Sequence, residues 1–229
     1  MKQGVRNFIF SSTAAVYGNP TRVPVREGDP TLPTSPYGSS KLMTEIMLRD
    51  ASTAHGLRHV ILRYFNVAGA DPLGRTVQST KAATHLIKVA VETALGLRPK
   101  MDVFGTDYPT RDGTCIRDYI HVSDLVAAHA DALLYLRRGG ASTTLNCGYG
   151  RGFSVLDVIE TVKRVSGVDF KVEFAARRAG DPRTSSPPAI VPIRRSNGSR
   201  VLTICEPLSP TRWRGSASYK DCRWPIRLN

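Results

Sequence analysis

Long apolar runs are missing from this sequence of 229 residues, although 41% of the residues are hydrophobic. A membrane-spanning helix needs about 20 mainly apolar residues, so the sequence predicts no membrane partner. Near the N-terminus, Lys2 and Arg6 precede no long apolar stretch and no small-residue cleavage site, so we expect no signal peptide. These absences favour a cytoplasmic location.

Cysteine is scarce, and its spacing is unlike that of metal ligands. The four residues Cys115, Cys147, Cys205 and Cys222 are scattered along the sequence and form no close pair. Disulfides are rare in the reducing cytoplasm. We therefore interpret these cysteines as reduced thiols, and we expect no metal site.

Acidic residues are few: 19 Asp and Glu stand against 32 Lys and Arg, which gives a net charge of +13. Such an excess is typical of proteins that bind nucleic acid. Its distribution argues against that partner, because residues 183–229 contain nine of the basic residues and only two of the acidic ones. No recognition motif accompanies the charge, so we expect no nucleic acid as partner.

Residues 183–229 also differ from the rest of the chain in composition. They contain six Pro, seven Ser and both Trp, without useful helical or strand periodicity. We expect a basic, irregular and disordered tail. Since disordered segments are depleted in Trp, Cys and Ile, the other hypothesis is a frameshift in a GC-rich gene. Resequencing the gene would decide between the two.

The preceding residues alternate between strand and helix patterns. A buried strand is predicted at residues 5–10, ending at the polar turn Ser11-Ser12-Thr13. A helical pattern follows from Pro36 to about His55, and the next strand is at 58–64. This order predicts a right-handed crossover in a parallel sheet. Further helices are predicted at 84–95, at 123–137 capped by Ser123 and at 154–166 capped by Ser154, and further strands at 143–147 and 170–174.

Tyr37 and Lys41 are the first candidates for a chemical role. They lie one helical turn apart and therefore share one face of the predicted helix. An ammonium group near a phenol favours the phenolate, which would let Tyr37 act as a base. A simple surface pair is the alternative. Context favours chemistry, because the hydroxyl cluster Ser11-Ser12-Thr13 ends a strand, where open α/β sheets bind ligands.

Five collinear stretches extend this observation over about residues 4–182. They are residues 8–18 (FIFSSTAAVYG), 36–41 (PYGSSK), 63–66 (RYFN), 112–122 (DGTCIRDYIHV) and 177–181 (RRAGD). In these stretches the sequence resembles the bacterial UDP-glucose 4-epimerases, also called UDP-galactose 4-epimerases, of the extended short-chain dehydrogenases.

The resemblance implies an α/β fold with a partial NAD-binding, Rossmann-type parallel sheet and a small α/β substrate domain. The Rossmann-type part would be residues 1–66 and 115–148, and the nucleotide-sugar-binding part 67–114 and 149–182. The cofactor would be NAD and the substrate a UDP-hexose. The implied reaction is C4 epimerisation of UDP-glucose and UDP-galactose through a 4-keto intermediate, in galactose metabolism. Family members are commonly homodimers through a helix bundle that includes the Tyr–Lys helix.

The resemblance also implies a role for each candidate residue. Tyr37 matches the catalytic base, Lys41 its nicotinamide-ribose partner and Thr13 the catalytic Ser/Thr position. Together with Phe65, which lies beside the nicotinamide in the family, these three would contact the cofactor. The implied substrate-binding residues are Asn66, Arg117 and Arg178 for the diphosphate, His85 and Leu86 for the uridine nucleotide, and Asp181 for the UDP ribose.

Other interpretations stay open at this point. Arg117 and Asp118 could form a surface ion pair, and His85 could be structural. Another nucleotide-sugar short-chain enzyme, either a dehydratase or a pentose epimerase, is the alternative enzyme, and a noncatalytic remnant is the alternative outside enzymes. Dehydratases generally have an acid near the Thr13 position, where this sequence has Ala14-Ala15, which favours the epimerase.

The sequence departs from the family pattern at its front. That pattern begins about 110 residues before Met1, with a Gly-x-x-Gly-x-x-Gly turn that binds the NAD pyrophosphate. The residues Gly148-Tyr149-Gly150-Arg151-Gly152 lie too late and have the wrong spacing for this turn. The resemblance thus implies an N-terminally truncated member without the front strands and the Gly-rich turn. In addition, Cys115 stands where the family usually has Gly.

We therefore expect the purified chain of 229 residues not to retain NAD and not to convert UDP-galactose into UDP-glucose. The physical reason is the missing turn for the pyrophosphate. Absorbance of nucleotide released from the denatured chain, together with a coupled assay for UDP-glucose, checks this expectation. Bound NAD with detectable turnover would overturn it.

Overall fold

The computed structural model describes residues 4–71, 73–76, 78–80 and 84–177. The predicted tail at 183–229 and the candidates Arg178 and Asp181 lie outside the described residues. The described helices are α1 (Pro36–His55), α2 (Leu86–Ala94), α3 (Val122–Arg137), α4 (Val155–Ser166) and the short 3-10 helix η1 (Ala14–Tyr17). The described strands are β1 (Asn7–Thr13), β2 (Arg58–Tyr64), β3 (Asn66–Ala68), β4 (Met101–Phe104), β5 (Ile116–His121), β6 (Thr143–Cys147), β7 (Gly152–Ser154) and β8 (Val172–Ala175).

The central sheet consists of three parallel strands in the order β1-β2-β6. α1 connects β1 to β2, which confirms the predicted strand–helix–strand unit. β2, the middle strand of this sheet, is covered on both faces. Val60 and Leu62 pack in a cluster with α3, while Ile61 packs with Leu48 of α1. Val60, Ile61 and Leu62 are all fully buried, as is typical of a continuous apolar run in a parallel strand.

The other strands form two smaller sheets. In one, β5 pairs in parallel with β3 and antiparallel with β7. In the other, β4 pairs in parallel with β8, and a separate cluster with Met101, Val103 and Ile159 joins it to α2 and α4. The predicted α/β class with parallel sheets is confirmed, while the division into two domains remains a prediction. Among the described residues, no helix has both the length and the apolarity to cross a membrane.

Several predicted boundaries are wrong. β1 does not end at Phe10 but continues through Thr13, because Ser11, Ser12 and Thr13 pair with successive residues of β2. The cap of α3 is not Ser123 but His121, whose Nδ1 accepts a hydrogen bond from the Ser123 amide at 3.1 Å. The predicted helix at 84–95 is shorter, at Leu86–Ala94, and the last predicted strand begins two residues later, at Val172.

The start of α1 is fixed by local chemistry. Ser35 caps the helix by accepting a hydrogen bond from the Gly38 amide at 3.1 Å, and Pro36 occupies the first turn. Gly38 lies so close to η1 that a Cβ atom there would be 2.7 Å from the Ala15 carbonyl oxygen. The first turn of α1, which contains Tyr37, therefore docks directly on the segment that follows β1.

Candidate functional site

Tyr37 and Lys41 lie beside the carboxyl end of β1. The Lys41 Nζ atom donates a hydrogen bond to the Ser11 carbonyl oxygen at 3.0 Å. It lies 5.8 Å from the centroid of the Tyr37 ring and 5.1 Å from that of the Phe10 ring. The structure thus brings the predicted pair to the strand end and anchors its ammonium group on the main chain.

The Tyr37 ring is open to solvent, with 54% of the residue exposed. Its neighbour Tyr64, at the end of β2, is different. Burial raises the pKa of Tyr64, a smaller effect of Tyr37 acts in the same direction, and a hydrogen bond with Ser11 opposes both. Of the two phenols at this strand end, Tyr37 is the more exposed.

Ser11 connects the site to the opposite face of the sheet. Its Oγ atom is 2.7 Å from Nε2 of His129 on α3, and Nδ1 of His129 is 2.8 Å from the Leu125 carbonyl oxygen. Because a carbonyl oxygen only accepts, Nδ1 donates that hydrogen bond, which leaves Nε2 as the partner of the Ser11 hydroxyl. Ser11 is therefore held from both faces, through its carbonyl by Lys41 and through its side chain by His129.

Thr13 is the last residue of β1 and is buried. Its Oγ1 atom accepts a hydrogen bond from the Ala15 amide at 3.1 Å, which caps η1. That bond fixes the position of the oxygen but leaves the hydroxyl proton available for donation.

Phe65 and Asn66 follow β2 directly and meet β5 and β6. The Phe65 amide donates to the Cys147 carbonyl oxygen at 3.3 Å, and Nδ2 of Asn66 donates to the Asp118 carbonyl oxygen at 3.2 Å. Phe65 also packs against the cluster that contains Val16 and Tyr17. These two candidates are thus held at the same edge of the sheet at which β1 and β2 end.

Asp118 fixes the turn that follows β6. Its Oδ1 accepts a hydrogen bond from the Tyr149 amide at 3.1 Å, and its Oδ2 accepts one from the Gly150 amide at 2.8 Å. A Cβ atom at Gly148 would come within 2.6 Å of Asp118 Oδ2 and 2.8 Å of Phe65 Cδ2, so this close approach requires glycine. Burial raises the pKa of Asp118 to about 6, although the amide hydrogen bonds oppose the shift.

Arg117 precedes Asp118 on β5 and is half-buried. Since successive side chains of a strand point to opposite faces, the two do not share a side of β5. The Asp118 carboxylate is bound to main-chain amides, and no carboxylate in the described part of the chain pairs with the Arg117 guanidinium. The arrangement therefore leaves Arg117 available for an anionic ligand.

His85 and Leu86, the other candidates among the described residues, lie at the start of α2. His85 caps α2 without a side-chain hydrogen bond, and Leu86 packs in the cluster of α2, α4 and β4. Two open concavities lie elsewhere on the described surface. One, of about 580 Å³, is bounded by Arg177, and the other, of about 600 Å³, by Arg164. Neither includes Tyr37 or Lys41. Arg177 itself is engaged, because its Nε atom donates to Asp107 Oδ1 at 2.6 Å. We therefore base the candidate site on the strand-end residues rather than on these concavities.

The sequence profile of the NAD dependent epimerase/dehydratase family matches residues 1–148. The chain belongs to this family. It is 65% identical over 182 residues to the UDP-glucose 4-epimerase of Azospirillum brasilense, which covers 80% of this chain and 52% of that protein. It is 50% identical to that of Halalkalibacterium halodurans over 80% of this chain and 54% of the relative. The chain thus spans about half the length of the curated relatives it matches.

Solved structures of this family agree with the fold. The UDP-glucose 4-epimerase of Brucella ovis, in complex with NAD, superposes with a TM-score of 0.76 at 46% identity, over 80% of this chain and 56% of that chain. The UDP-glucose 4-epimerase of Bifidobacterium longum, in complex with NAD+ and UDP, superposes with a TM-score of 0.75 at 37% identity. That match covers 82% of this chain and 56% of the B. longum chain. Both similarities support the Rossmann-type fold expected for the central sheet.

Four residues that shape the site were not found by sequence reasoning. Asp118 and His129 offer no local signal, because their partners are distant in sequence. Arg63 and Glu45 do offer one: Arg63 directly follows the apolar run Val60-Ile61-Leu62 in a predicted inner strand, and a charged residue buried there needs a partner. Glu45, one turn after Lys41 on the same helical face, is a natural candidate for that partner.

Asp118→Asn should change the pH dependence of stability. The pKa of Asp118 is raised from 3.8 to about 6 in the folded chain, so the folded state binds more protons than the unfolded state between these values. The wild-type chain should therefore lose about 3 kcal/mol as the pH rises from about 4 to about 7, a loss that the uncharged Asn does not share.

Urea unfolding at several pH values measures this effect as a difference between variant and wild type. The free energy of unfolding of Asp118→Asn should rise relative to that of the wild type as the pH rises. The lost amide contact adds a cost that does not change with pH. Asp131→Asn, at an exposed position of α3, is the matched control for the loss of a carboxylate. A difference for Asp118→Asn that stays constant with pH would contradict the assignment.

Proposed function

We propose that this chain supplies the catalytic base and the substrate-binding residues of an NAD-dependent UDP-hexose 4-epimerase. One observation carries the proposal: Lys41 is anchored on the Ser11 carbonyl at the end of β1, beside the exposed ring of Tyr37. The similarity to UDP-glucose 4-epimerases supports the choice of reaction.

NAD fits the nicotinamide side of this site. The Lys41 ammonium has three donors and uses one for Ser11, so two remain for ribose hydroxyls. Tyr37 and Thr13 would adjoin the same part of the cofactor, and Phe65 would lie beside the nicotinamide ring. Bound there, NAD would accept hydride from C4 of the sugar and return it. The fit concerns the nicotinamide half of the cofactor, which is the half that these residues would contact.

The chain's own residues move the proton and hold the nucleotide. Tyr37 takes the proton of the C4 hydroxyl and later gives it back, while the Lys41 charge stabilises the phenolate. The Thr13 hydroxyl donates to the same sugar oxygen. The result is a 4-keto sugar that can turn within the site and be reduced on its other face.

The 4-keto sugar can turn without leaving the site because the chain holds the UDP part of the substrate. The Arg117 guanidinium, which has no carboxylate partner among the described residues, suits bidentate binding of the diphosphate. Asn66, on the neighbouring strand β3, would contact the same group. On the family resemblance we assign His85 and Leu86 to the uridine nucleotide, Arg178 to the diphosphate and Asp181 to the UDP ribose. Anchoring through UDP then keeps the intermediate bound without fixing the hexose.

The test is a chimera of the A. brasilense enzyme in which the aligned 182 residues come from this chain. Tyr37→Phe in the chimera should reduce epimerisation of UDP-galactose about 10²- to 10⁴-fold, because the proton acceptor is lost. UDP binding, measured by calorimetry, should stay nearly unchanged. Tyr135→Phe, on α3, is the matched control and should retain activity.

Loss of UDP binding together with activity would instead assign Tyr37 a structural role. A chimera that eliminates water from the hexose instead of epimerising it would favour the dehydratase alternative.

We also propose a cytoplasmic homodimer that acts in galactose metabolism. The buried, reduced thiols of Cys115 and Cys147 suit a reducing compartment. One face of α1 offers a surface for self-association, since Met43, Ile46 and Met47 are 63%, 46% and 60% exposed at helical spacing. Such a contiguous apolar strip suits an interface between two copies.

Met47→Glu should shift the chain from dimer to monomer, because it puts a charge into this apolar strip. Sedimentation velocity over a range of concentrations measures the shift. Leu73→Glu is the matched control, since Leu73 is 74% exposed on a loop outside α1. A wild-type chain that stays monomeric throughout, or equal behaviour of both variants, would reject the proposed interface.

A further inference from the structure

A buried ion pair joins α1 to the central sheet. The Arg63 Nε and Nη2 atoms of β2 donate to the two carboxylate oxygens of Glu45, at 3.0 and 2.6 Å. Glu45 is fully buried and Arg63 is 2% exposed. This two-point contact has a fixed geometry, unlike the apolar packing around it.

Neighbouring elements form further hydrogen bonds with the pair. Glu45 Oε1 also accepts the Ser12 hydroxyl of β1 at 2.5 Å. Arg63 Nη1 donates to the Tyr17 hydroxyl at 2.8 Å and to the Glu27 carbonyl oxygen at 3.1 Å. Burial alone would lower the pKa of Arg63, but the contacts with Glu45 and Tyr17 outweigh it and raise the value. Both charges are therefore compensated in the folded state.

The same pair adjoins the candidate site, one helical turn further along α1. Tyr37, Lys41 and Glu45 follow one another at intervals of four residues along one face of α1. Lys41 contacts the main chain of Ser11, and Glu45 contacts the side chain of the next residue, Ser12. Any shift of Glu45 along the sheet would therefore also displace the Lys41 ammonium from the Ser11 carbonyl.

We propose that Glu45 and Arg63 are positioning residues, which set the place of Tyr37 and Lys41 at the end of β1. Apolar packing tolerates small sliding and repacking, whereas the forked contact between a guanidinium and a carboxylate selects one placement of the helix. The inference rests on the proposed function only for the chemical role of Tyr37 and Lys41. Their placement can be measured without cofactor or substrate.

The experiment follows Tyr37 and Lys41 by solution NMR in the chain of 229 residues. Signals of the Tyr37 ring and the Lys41 side chain are assigned with Tyr37→Phe and Lys41→Arg. Glu45→Gln should displace both signals, because Arg63 loses its charged partner. The amides of the second turn of α1 should exchange about tenfold faster than in the wild type, relative to those near His55.

Leu48→Ala is the matched control, since Leu48 is buried on the same helix and contributes packing only. A positioning role predicts that this variant loses stability but keeps the Tyr37 and Lys41 signals in place. Equal displacement in Leu48→Ala and Glu45→Gln would show a merely structural role and overturn the proposal.

Two milder variants apply if Glu45→Gln does not fold. Ser12→Ala removes one hydrogen bond to Glu45 and leaves the ion pair, and Arg63→Lys keeps the charge but loses the fork. Both should displace the Tyr37 and Lys41 signals in the same direction, by less than a full loss of the pair would. Unchanged signals in both variants would reject the proposal. The outcome does not depend on epimerase activity, so a failure of the proposed function remains distinguishable.

Discussion

The compensation of one buried charge organises the described part of this protein. Arg63 stands in the middle strand of the central sheet, where an unpaired guanidinium would be very unfavourable. Its partner Glu45 comes from α1, and its other contacts come from η1 and the loop at Glu27. The Tyr17 hydroxyl extends the network to Asn146 of β6 at 2.7 Å. One charge thus connects the sheet, the Tyr37 helix and the loop between them.

Successive side chains of β1 point to opposite faces of the sheet, and this alternation fixes the strand end at the candidate site. Ser12 faces α1 and contacts Glu45, while the side chain of Ser11 faces α3 and contacts His129. The Ser11 carbonyl, between these two contacts, receives Lys41. The group that is proposed to stabilise the Tyr37 phenolate is therefore attached to a strand residue fixed from both faces. Catalysis by proton transfer needs such rigid placement, because the base must lie within hydrogen-bonding reach of its substrate.

Local patterns in the sequence predict the parts of the structure that depend on local chemistry. The cap at Ser35, Pro36 and the αL residue Gly56 define α1, and the apolar run of β2 defines a strand covered on both faces. The short strands β3, β4 and β7 were not predicted, because three or four residues carry no periodicity. Helical spacing and the strand-end hydroxyl cluster made Tyr37 and Lys41 candidates, and resemblance to a family added Arg117. Only the tertiary structure shows that Asp118 binds the turn after β6 rather than pairing with Arg117.

Tracing the hydrogen at C4 of the sugar tests the proposed reaction most directly. UDP-galactose carrying deuterium at C4 would be converted by the chimera with the A. brasilense enzyme, and the UDP-glucose formed would be analysed by NMR. Proton transfer by Tyr37 with hydride removal and return predicts that the deuterium stays at C4, because only the hydroxyl proton passes through the phenol. Deuterium lost from C4 to the solvent, or a product that has lost water, would contradict the account.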